Sequence, residues 1–163
     1  MTQIAGSRSY AGTRARDIGG AAVDESPDVP TGLAFDRAGN LYIAGISTKV
    51  LLMITPRGIM MRPDAPHGFY PFGDGGLVTA PNGTVIAMNR ASIVRLSPAG
   101  VTTIRAFYKH PIQGIGGTFE PNGIAVAPNG TIFVDTYAGN GYTTTTALIA
   151  ISPTRHIRTL WTS

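Results

Sequence analysis

The chain has 163 residues and a mass of 17.1 kDa, which predicts a single domain. It contains 21 glycines and 12 prolines, with only 13% charged and 43% hydrophobic residues. This composition excludes collagen, coiled coils and charge-driven disorder, and it predicts an all-β protein rich in turns. The sequence has no cysteine, which excludes disulfides, thiolate catalysis and sulfur-ligated zinc.

Residues 1–29 are polar and too short for a repeat, so we expect a linker or irregular N-terminal segment. Residues 1–10 lack the apolar core of a signal peptide, and no stretch of the chain is apolar enough for a membrane span. The 13 lysines and arginines, which give a net charge of +4, are scattered along the chain and do not form a cluster. This distribution argues against nucleic acid as a partner. The compartment is not predicted.

Three later segments align without a gap over ten positions and predict an internal repeat. Each has a glycine at its third position, apolar or small residues next, and a second glycine seven positions later. The segments are residues 30–39, 74–83 and 121–130. A Ser-Pro or Thr-Pro pair follows each of them, at Pro56, Pro98 and Pro153. The first two pairs are followed by Gly58 and Gly100, whereas the third pair has no such glycine.

Each repeat predicts four antiparallel strands. Asn-Gly or Gly-Asn pairs around Gly39, Gly83 and Gly130 predict tight primed hairpin turns, because these residues tolerate positive φ. Strand-like stretches follow these turns, and the prolines end the third strands because proline cannot donate to a ladder. The predicted strands after the turns are residues 41–44, 50–54 and 58–62, then 84–87, 92–96 and 101–107, then 131–134, 147–151 and 156–161.

A four-stranded unit that recurs roughly every 45 residues is typical of a β-propeller blade. The predicted blades are residues 30–62, 74–107 and 121–161. Closed propellers have about four to eight blades, so three blades predict part of a ring. Two arrangements would complete it: a homodimer that closes a six-bladed ring, or further blades that belong to a longer chain.

Residues 30–44, Pro-Thr-Gly-Leu-Ala-Phe-Asp-Arg-Ala-Gly-Asn-Leu-Tyr-Ile-Ala, resemble the repeat of NHL-type propellers. The stretch Gly-Asp-Gly-Gly at residues 73–76 is similar to a linker between blades of bacterial NHL proteins. Residues 121–130 are similar both to this repeat and to the six-bladed gluconolactonase-like and strictosidine-synthase-like propellers. The resemblance implies a propeller over residues 30–161. It leaves the function open, because such propellers include lactonases, lyases, sensors and scaffolds. Gly45 stands where the NHL consensus has Asp.

The resemblance to the gluconolactonase-like group implies a candidate metal ligand, Asn122, in the Pro-Asn-Gly element near the channel mouth. Glu120 and Asp135 are nearby acids that could add oxygen ligands to calcium or another divalent cation. An Asn at this position is also an ordinary turn residue, so a purely structural role is the alternative. No cofactor is expected, with calcium or another divalent cation at this position as the alternative, and no catalytic residue is assigned.

Candidate ligand-binding residues lie in two other stretches. Tyr137, Asn140 and Tyr142 belong to a Gly- and Thr-rich insertion that lengthens the third repeat, and long aromatic loops on a rigid scaffold often bind ligands. Asp74 could line the channel mouth or cap a turn by bonding its own backbone.

These residues predict a non-catalytic binding or scaffold module whose loops at one mouth contact a protein or small molecule. One alternative is a metal-dependent lactonase or related hydrolase of the gluconolactonase-like group. The other is a truncated propeller fragment without independent activity.

Overall fold

Three four-stranded antiparallel sheets follow one another along the chain, and each is a simple meander. The computed structural model describes residues 19, 21, 30–45, 51–63, 76–89, 92–107, 118–139 and 144–163, and for 118–120, 137–139 and 144 it describes the backbone only. The sheets are named blades 1 to 3 in chain order.

The strands of each blade run in sequence order from the first to the fourth. Blade 1 contains β1 (Pro30–Phe35), β2 (Leu41–Gly45), β3 (Leu51–Ile54) and β4 (Met60–Met61). Blade 2 contains β5 (Leu77–Thr79), β6 (Val85–Met88), β7 (Ser92–Ser97) and β8 (Gly100–Ala106). Blade 3 contains β9 (Thr118–Val126), β10 (Ile132–Gly139), β11 (Thr144–Ile151) and β12 (Ile157–Thr162). The all-β prediction is confirmed. Within the described ranges, no helix has the length and apolar character needed to cross a membrane.

Contacts between blades are concentrated on their first strands, because β5 lies between β1 and β9. Alternating residues of each strand point to opposite faces of the sheet, so each blade has two faces to cover. One buried cluster joins the facing sides of blades 1 and 2 and includes Tyr42, Met53, Val85 and Val94. A second cluster joins blades 2 and 3 through Ile86, Met88, Val134 and Ile149 among others. Blade 2 is therefore covered on both faces, as in a propeller sector.

The hairpin turns differ from the prediction of primed turns. The Gly83 N–H donates to the Ala80 carbonyl at 2.8 Å, and the Ala80 N–H donates to the Thr84 carbonyl at 2.8 Å. Gly83 has a φ of 78°, whereas Asn82 has a negative φ, since Arg155 alone has positive φ among the described non-glycine residues. This is a three-residue loop that ends in a left-handed glycine, not a type I′ turn, which needs two successive positive φ angles.

The predicted fourth strand of blade 1 begins too early, because Gly58 lies in the preceding turn. Its N–H donates to the Thr55 carbonyl at 2.8 Å, and Thr55 N–H in turn donates to Ile59. The strand is consequently limited to Met60–Met61. On its outer side, the Gly19 N–H donates to the Met60 carbonyl at 2.8 Å, and Ala21 forms an antiparallel bridge with Ile59.

Candidate functional site

The meander places two kinds of connection at opposite ends of the blades. The turn end carries the tight turns after the first and third strands, at residues 36–40, 80–84 and 127–131 and at 55–59, 98–99 and 152–156. The opposite end, called the mouth end, carries the starts of β1, β5 and β9 and the points where the second strands end and the third strands begin. The candidate residues Glu120, Asn122, Asp135 and Tyr137 all lie on β9 or β10 toward the mouth end. Asp74, Asn140 and Tyr142 lie outside the described residues.

Asn122 is the extra residue of a β-bulge. Asp135 pairs with Gly123 and Thr136 with Pro121, so Asn122 has no partner on β10 in this register. Its side chain is exposed. A bulge of this kind turns a side chain away from the regular alternation of the sheet, and bulges recur beside functional sites.

The same irregularity occurs in blade 1, where Pro30 pairs with Gly45 and Gly32 with Ala44, leaving Thr31 as the extra residue. The Thr31 hydroxyl donates to the Ala44 carbonyl at 3.3 Å. The bulge therefore belongs to the Pro-x-Gly element of the repeat, and what distinguishes blade 3 is the free amide that it carries there.

Asp135 is exposed and faces away from blade 2. It shares a side of the sheet with Gly123, where an added Cβ would lie 3.8 Å from the Asp135 Cβ. The neighbouring residues Val134 and Thr136 point the other way and are buried toward blade 2. Asp135 thus lies on the outward face of blade 3, which in a closed ring would meet the next blade.

The described donors do not make a complete metal site. Asn122 and Asp135 are two exposed oxygen-bearing side chains, and the Glu120 backbone pairs with Tyr137 one step further along the strands. A calcium ion takes about six to eight oxygen ligands. Within the described part of the chain, no group of three or more His, Cys, Asp or Glu side chains is placed to hold a metal ion. The residues of blade 3 that the structure describes therefore fall short of a calcium shell.

The insertion in blade 3 continues the strands beyond the length of the other two blades. β10 and β11 pair without interruption from Ile132–Ile151 to Gly139–Thr144, and β9 follows β10 as far as Thr118. The matching pairs in blades 1 and 2 involve strands of only four to six residues. The β-branched threonines at the start of β11 favour this extended conformation. A three-stranded arm therefore extends from blade 3 at the mouth end, and Tyr137 lies in it.

A partly buried polar network occupies the turn end of blade 1. Asp36 accepts hydrogen bonds from the Asn40 side chain at 2.7 Å and from the Tyr42 hydroxyl at 3.4 Å. Its other oxygen accepts from the backbone N–H groups of Ala38 and Asn40, both at 2.9 Å. Burial, followed by the charge of Asp36 and their hydrogen bond, raises the pKa of Tyr42 well above its ordinary value. The network fixes a turn rather than presenting a reactive group.

Sequence reasoning missed one feature of the turn end, a groove between blades 2 and 3 that is lined by Arg95 and Arg155 among others. Its signal was present in the sequence, because the third Ser-Pro pair lacks the glycine that follows the first two pairs. Arg155 stands at that position with a φ of 66°.

The fold is similar to that of three solved propeller structures. The first is a proposed gluconolactonase, with a TM-score of 0.58, 13% identity and coverage of 82% of this chain and 49% of that chain. The second is a streptogramin B lyase, with a TM-score of 0.50, 14% identity and coverage of 82% and 55%. The third is a catalytically inactive virginiamycin B lyase from Staphylococcus aureus with quinupristin, with a TM-score of 0.50, 14% identity and coverage of 86% and 56%.

No protein-family model and no curated protein matches the sequence. At such low identity the solved structures show the fold alone, which is that of a partial β-propeller. The chain spans about half the length of each of these three structures.

Proposed function

We propose that the chain is a non-catalytic binding module that recognises a protein or small-molecule ligand at its mouth end. The observation that carries this proposal is the three-stranded arm of blade 3, whose strands β10 and β11 pair through eight residues each. The arm is anchored in the buried cluster between blades 2 and 3 through Val134 and Ile149. Binding residues are found disproportionately on the connecting segments that a rigid scaffold positions, and the tip of this arm is such a segment.

The arm carries Tyr137, and the proposed ligand contacts extend to Asn140, Tyr142 and Asp74. Tyrosine provides a large contact area with few rotatable bonds, and its hydroxyl group adds a hydrogen bond. Binding residues on strands are also held more precisely than residues on a free loop.

The arm can be shortened without changing the register of the blade, because Tyr137 pairs with Thr146. A variant in which residues 138–145 are replaced by Asn-Gly should fold with the thermal stability of the wild type. Thermal-shift screening of small molecules and binding to peptide arrays would be compared between the two proteins. Ligands that bind the wild type and not the shortened variant would support the proposal, and ligands that bind both proteins equally would contradict it.

A metal-dependent lactonase or related hydrolase is the second candidate, and the free amide of Asn122 at the bulge favours it. Oxygen ligands from other blades would have to complete the site with Glu120 and Asp135. Elemental analysis of the wild type and of Asn122→Ala, with a lactone-hydrolysis assay, separates the candidates. If the chain is a binding module, we expect no stoichiometric metal. About one equivalent of calcium in the wild type that is lost in Asn122→Ala would favour the hydrolase.

Completion of the ring is part of the same proposal. The chain spans about half of its structural neighbours, so the missing half would come from a second copy or from further blades in a longer chain. A truncated fragment without independent activity is what remains if neither source exists.

A further inference from the structure

The groove between blades 2 and 3 lies at the turn end, away from the proposed ligand site, and has a volume of about 370 Å³. It is bounded by turns of both blades and by the β7–β8 face of blade 2. Its lining includes Pro81, Ile86, Arg95, Ile132, Ser152 and Arg155.

The groove is open because blades 2 and 3 lack the hydrogen bond that joins the corresponding turns of blades 1 and 2. The Arg37 N–H donates to the Gly83 carbonyl at 3.0 Å and joins the turns of these two blades. Pro81 occupies the position of Arg37 in blade 2, and proline has no N–H to donate to the next turn. The consequence is visible at the glycines. An added Cβ at Gly83 would meet Arg37 at 2.4 Å, whereas at Gly130 its nearest neighbour would be Pro153 of the same blade at 3.5 Å.

The side chains beneath the turns also fill the space between blades 1 and 2 more completely than the space between blades 2 and 3. Tyr42 and Met53 fill the space between blades 1 and 2 and are fully buried. The repeat aligns these two positions with Ile86 and Arg95 of blade 2. Isoleucine is smaller than tyrosine, and a guanidinium avoids a dry apolar interface. The register Ile86–Arg95–Thr102 places Arg95 on the side of blade 2 that faces blade 3.

The second arginine reaches the groove from blade 3 at a conformational disadvantage. Arg155 aligns with Gly58 and Gly100, which have φ angles of 76° and 131°. Its own φ of 66° lies in the left-handed region, which disfavours a side chain. Glycine would fit this turn better, so the backbone alone does not explain arginine here. Arg155 lies in the lining of the groove, where its side chain is available to a ligand.

The lining therefore combines positive charge with an apolar floor. Arg95 and Arg155 supply guanidinium groups, Ser152 and neighbouring threonine and asparagine side chains supply polar atoms, and Ile86 and Ile132 supply apolar surface. None of the described residues that line the groove is an acid. Guanidinium groups match the geometry of carboxylate and phosphate.

We propose that this groove binds a small organic anion, whose carboxylate or phosphate contacts Arg95 and Arg155 and whose apolar part lies on the isoleucines. The volume is near the lower end of ligand pockets, which run from about 300 to 1,000 Å³, so the ligand is about the size of a single substituted ring. The proposal is independent of the mouth-end function, because the two sites lie at opposite ends of the blades.

Isothermal titration calorimetry of the chain with phenyl phosphate and with benzoate tests the charge, and benzyl alcohol and inorganic phosphate are the matched controls. We expect one of the two aromatic anions to bind more tightly than either control, and the comparison between them distinguishes a phosphate ligand from a carboxylate ligand. Equal binding of benzyl alcohol, or no detectable binding of either aromatic anion, would overturn the proposal.

Two variants test the residues. Arg155→Gly restores the residue of the other blades, so we expect the thermal midpoint to be unchanged or raised while the affinity for the anion falls by about tenfold or more. Arg95→Gln should lower the affinity similarly. Arg158→Gln removes the same charge from an exposed position of β12 and should leave binding unchanged. Unchanged affinity in both Arg155→Gly and Arg95→Gln, or an equal loss in Arg158→Gln, would contradict the assignment.

Discussion

Gly83 meets two separate requirements, a left-handed backbone and a close approach to Arg37. Its φ is 78°, and an added Cβ would lie 2.4 Å from the Arg37 Cβ. Gly58 has nearly the same φ, 76°, but nothing lies within 4 Å of its added Cβ. The pair therefore separates the conformational effect of a side chain from its steric effect.

We expect Gly58→Ala to lower the free energy of unfolding by about 1 to 2 kcal/mol, the penalty for a left-handed alanine. Gly83→Ala should lower it further, by at least about another 1 kcal/mol, because blades 1 and 2 must move apart. Urea denaturation of both variants measures the difference. Equal destabilisation would mean that the contact between Arg37 and Gly83 does not hold these blades together.

Tyr42 gives the protein a specific sensitivity to alkaline pH. Its pKa is raised in the folded chain above the ordinary value of 10.0, first by burial and then by Asp36. Below the ordinary value the phenol is neutral in both states, and its stabilising contribution is fully present. Above that value the unfolded chain loses the proton while the folded chain retains it, so the free energy of unfolding falls as pH rises.

The Tyr42→Phe variant should therefore show a shallower loss of stability than the wild type between about pH 10 and 12. The other tyrosines are common to both proteins, so the difference between the two urea-denaturation curves isolates Tyr42. Parallel curves across this range would contradict the assignment of the raised pKa to Tyr42.

At the scale of the element, Asp36 organises the first hairpin turn of blade 1. It accepts hydrogen bonds from two backbone N–H groups, from the buried Asn40 amide and from Tyr42. Asn82, in the matching turn of blade 2, accepts only from the exposed Thr84 N–H, at 3.0 Å. Turn residues of similar chemistry thus form different numbers of hydrogen bonds in the two blades.

We expect Asp36→Ala to lower the free energy of unfolding by about 2 to 3 kcal/mol, because it leaves a buried amide without its acceptor. Asn82→Ala should lower it by no more than about 1 kcal/mol, since its hydrogen bond can be replaced by water. Thermal and urea unfolding of both variants provide the comparison. Similar losses would show that the network around Asn40 contributes little to stability.

The sequence predicted strands well where turn residues bounded them. The repeated glycines and prolines located nearly every strand, because positive φ and the missing proline N–H act locally. The local pattern did not reveal the length of β10 and β11, since Gly139 and the threonines of β11 are equally compatible with a loop. Their pairing depends on neighbouring strands that lie far away in sequence.

The groove between blades 2 and 3 could not be predicted for a different reason. It depends on the hydrogen bond to the next turn that Pro81 cannot form and on the replacement of tyrosine by isoleucine between repeats. The effect of both on the groove is evident only when the packing of neighbouring blades is known. Arg155 was the one local signal, because it interrupts the glycine pattern of the turns.

At the scale of the whole molecule, the two outer faces of the three-blade sector are apolar and partly uncovered. On the side of blade 1 that faces away from blade 2, Leu33 and Phe35 are 61% and 56% exposed, whereas Ile43, Leu52 and Ile54 on the same side are buried. Trp161 is 54% exposed and pairs with Leu148 on the outward side of blade 3. Large exposed apolar side chains at both ends of a sector indicate interfaces, since blade 2 shows how such faces are covered.

In a two-chain ring, blade 1 of each copy would pack against blade 3 of the other, across a two-fold axis. Phe35→Glu and Trp161→Glu should each weaken this assembly by introducing a charge into an apolar interface. Thr79→Glu is the control, because Thr79 lies between blades 1 and 2 and its hydroxyl donates to the Phe35 carbonyl at 2.7 Å. It should destabilise the fold without selectively dissociating the copies.

The solution mass of the purified chain, measured by light scattering over a range of concentrations, tests most directly whether the outer faces are blade interfaces. If a second copy completes the ring, we predict a dimer of about twice 17.1 kDa that Phe35→Glu converts to monomer, and if further blades of a longer chain complete it, we predict aggregation of the isolated chain through its uncovered faces. A stable, monodisperse monomer of 17.1 kDa at every concentration would contradict this account.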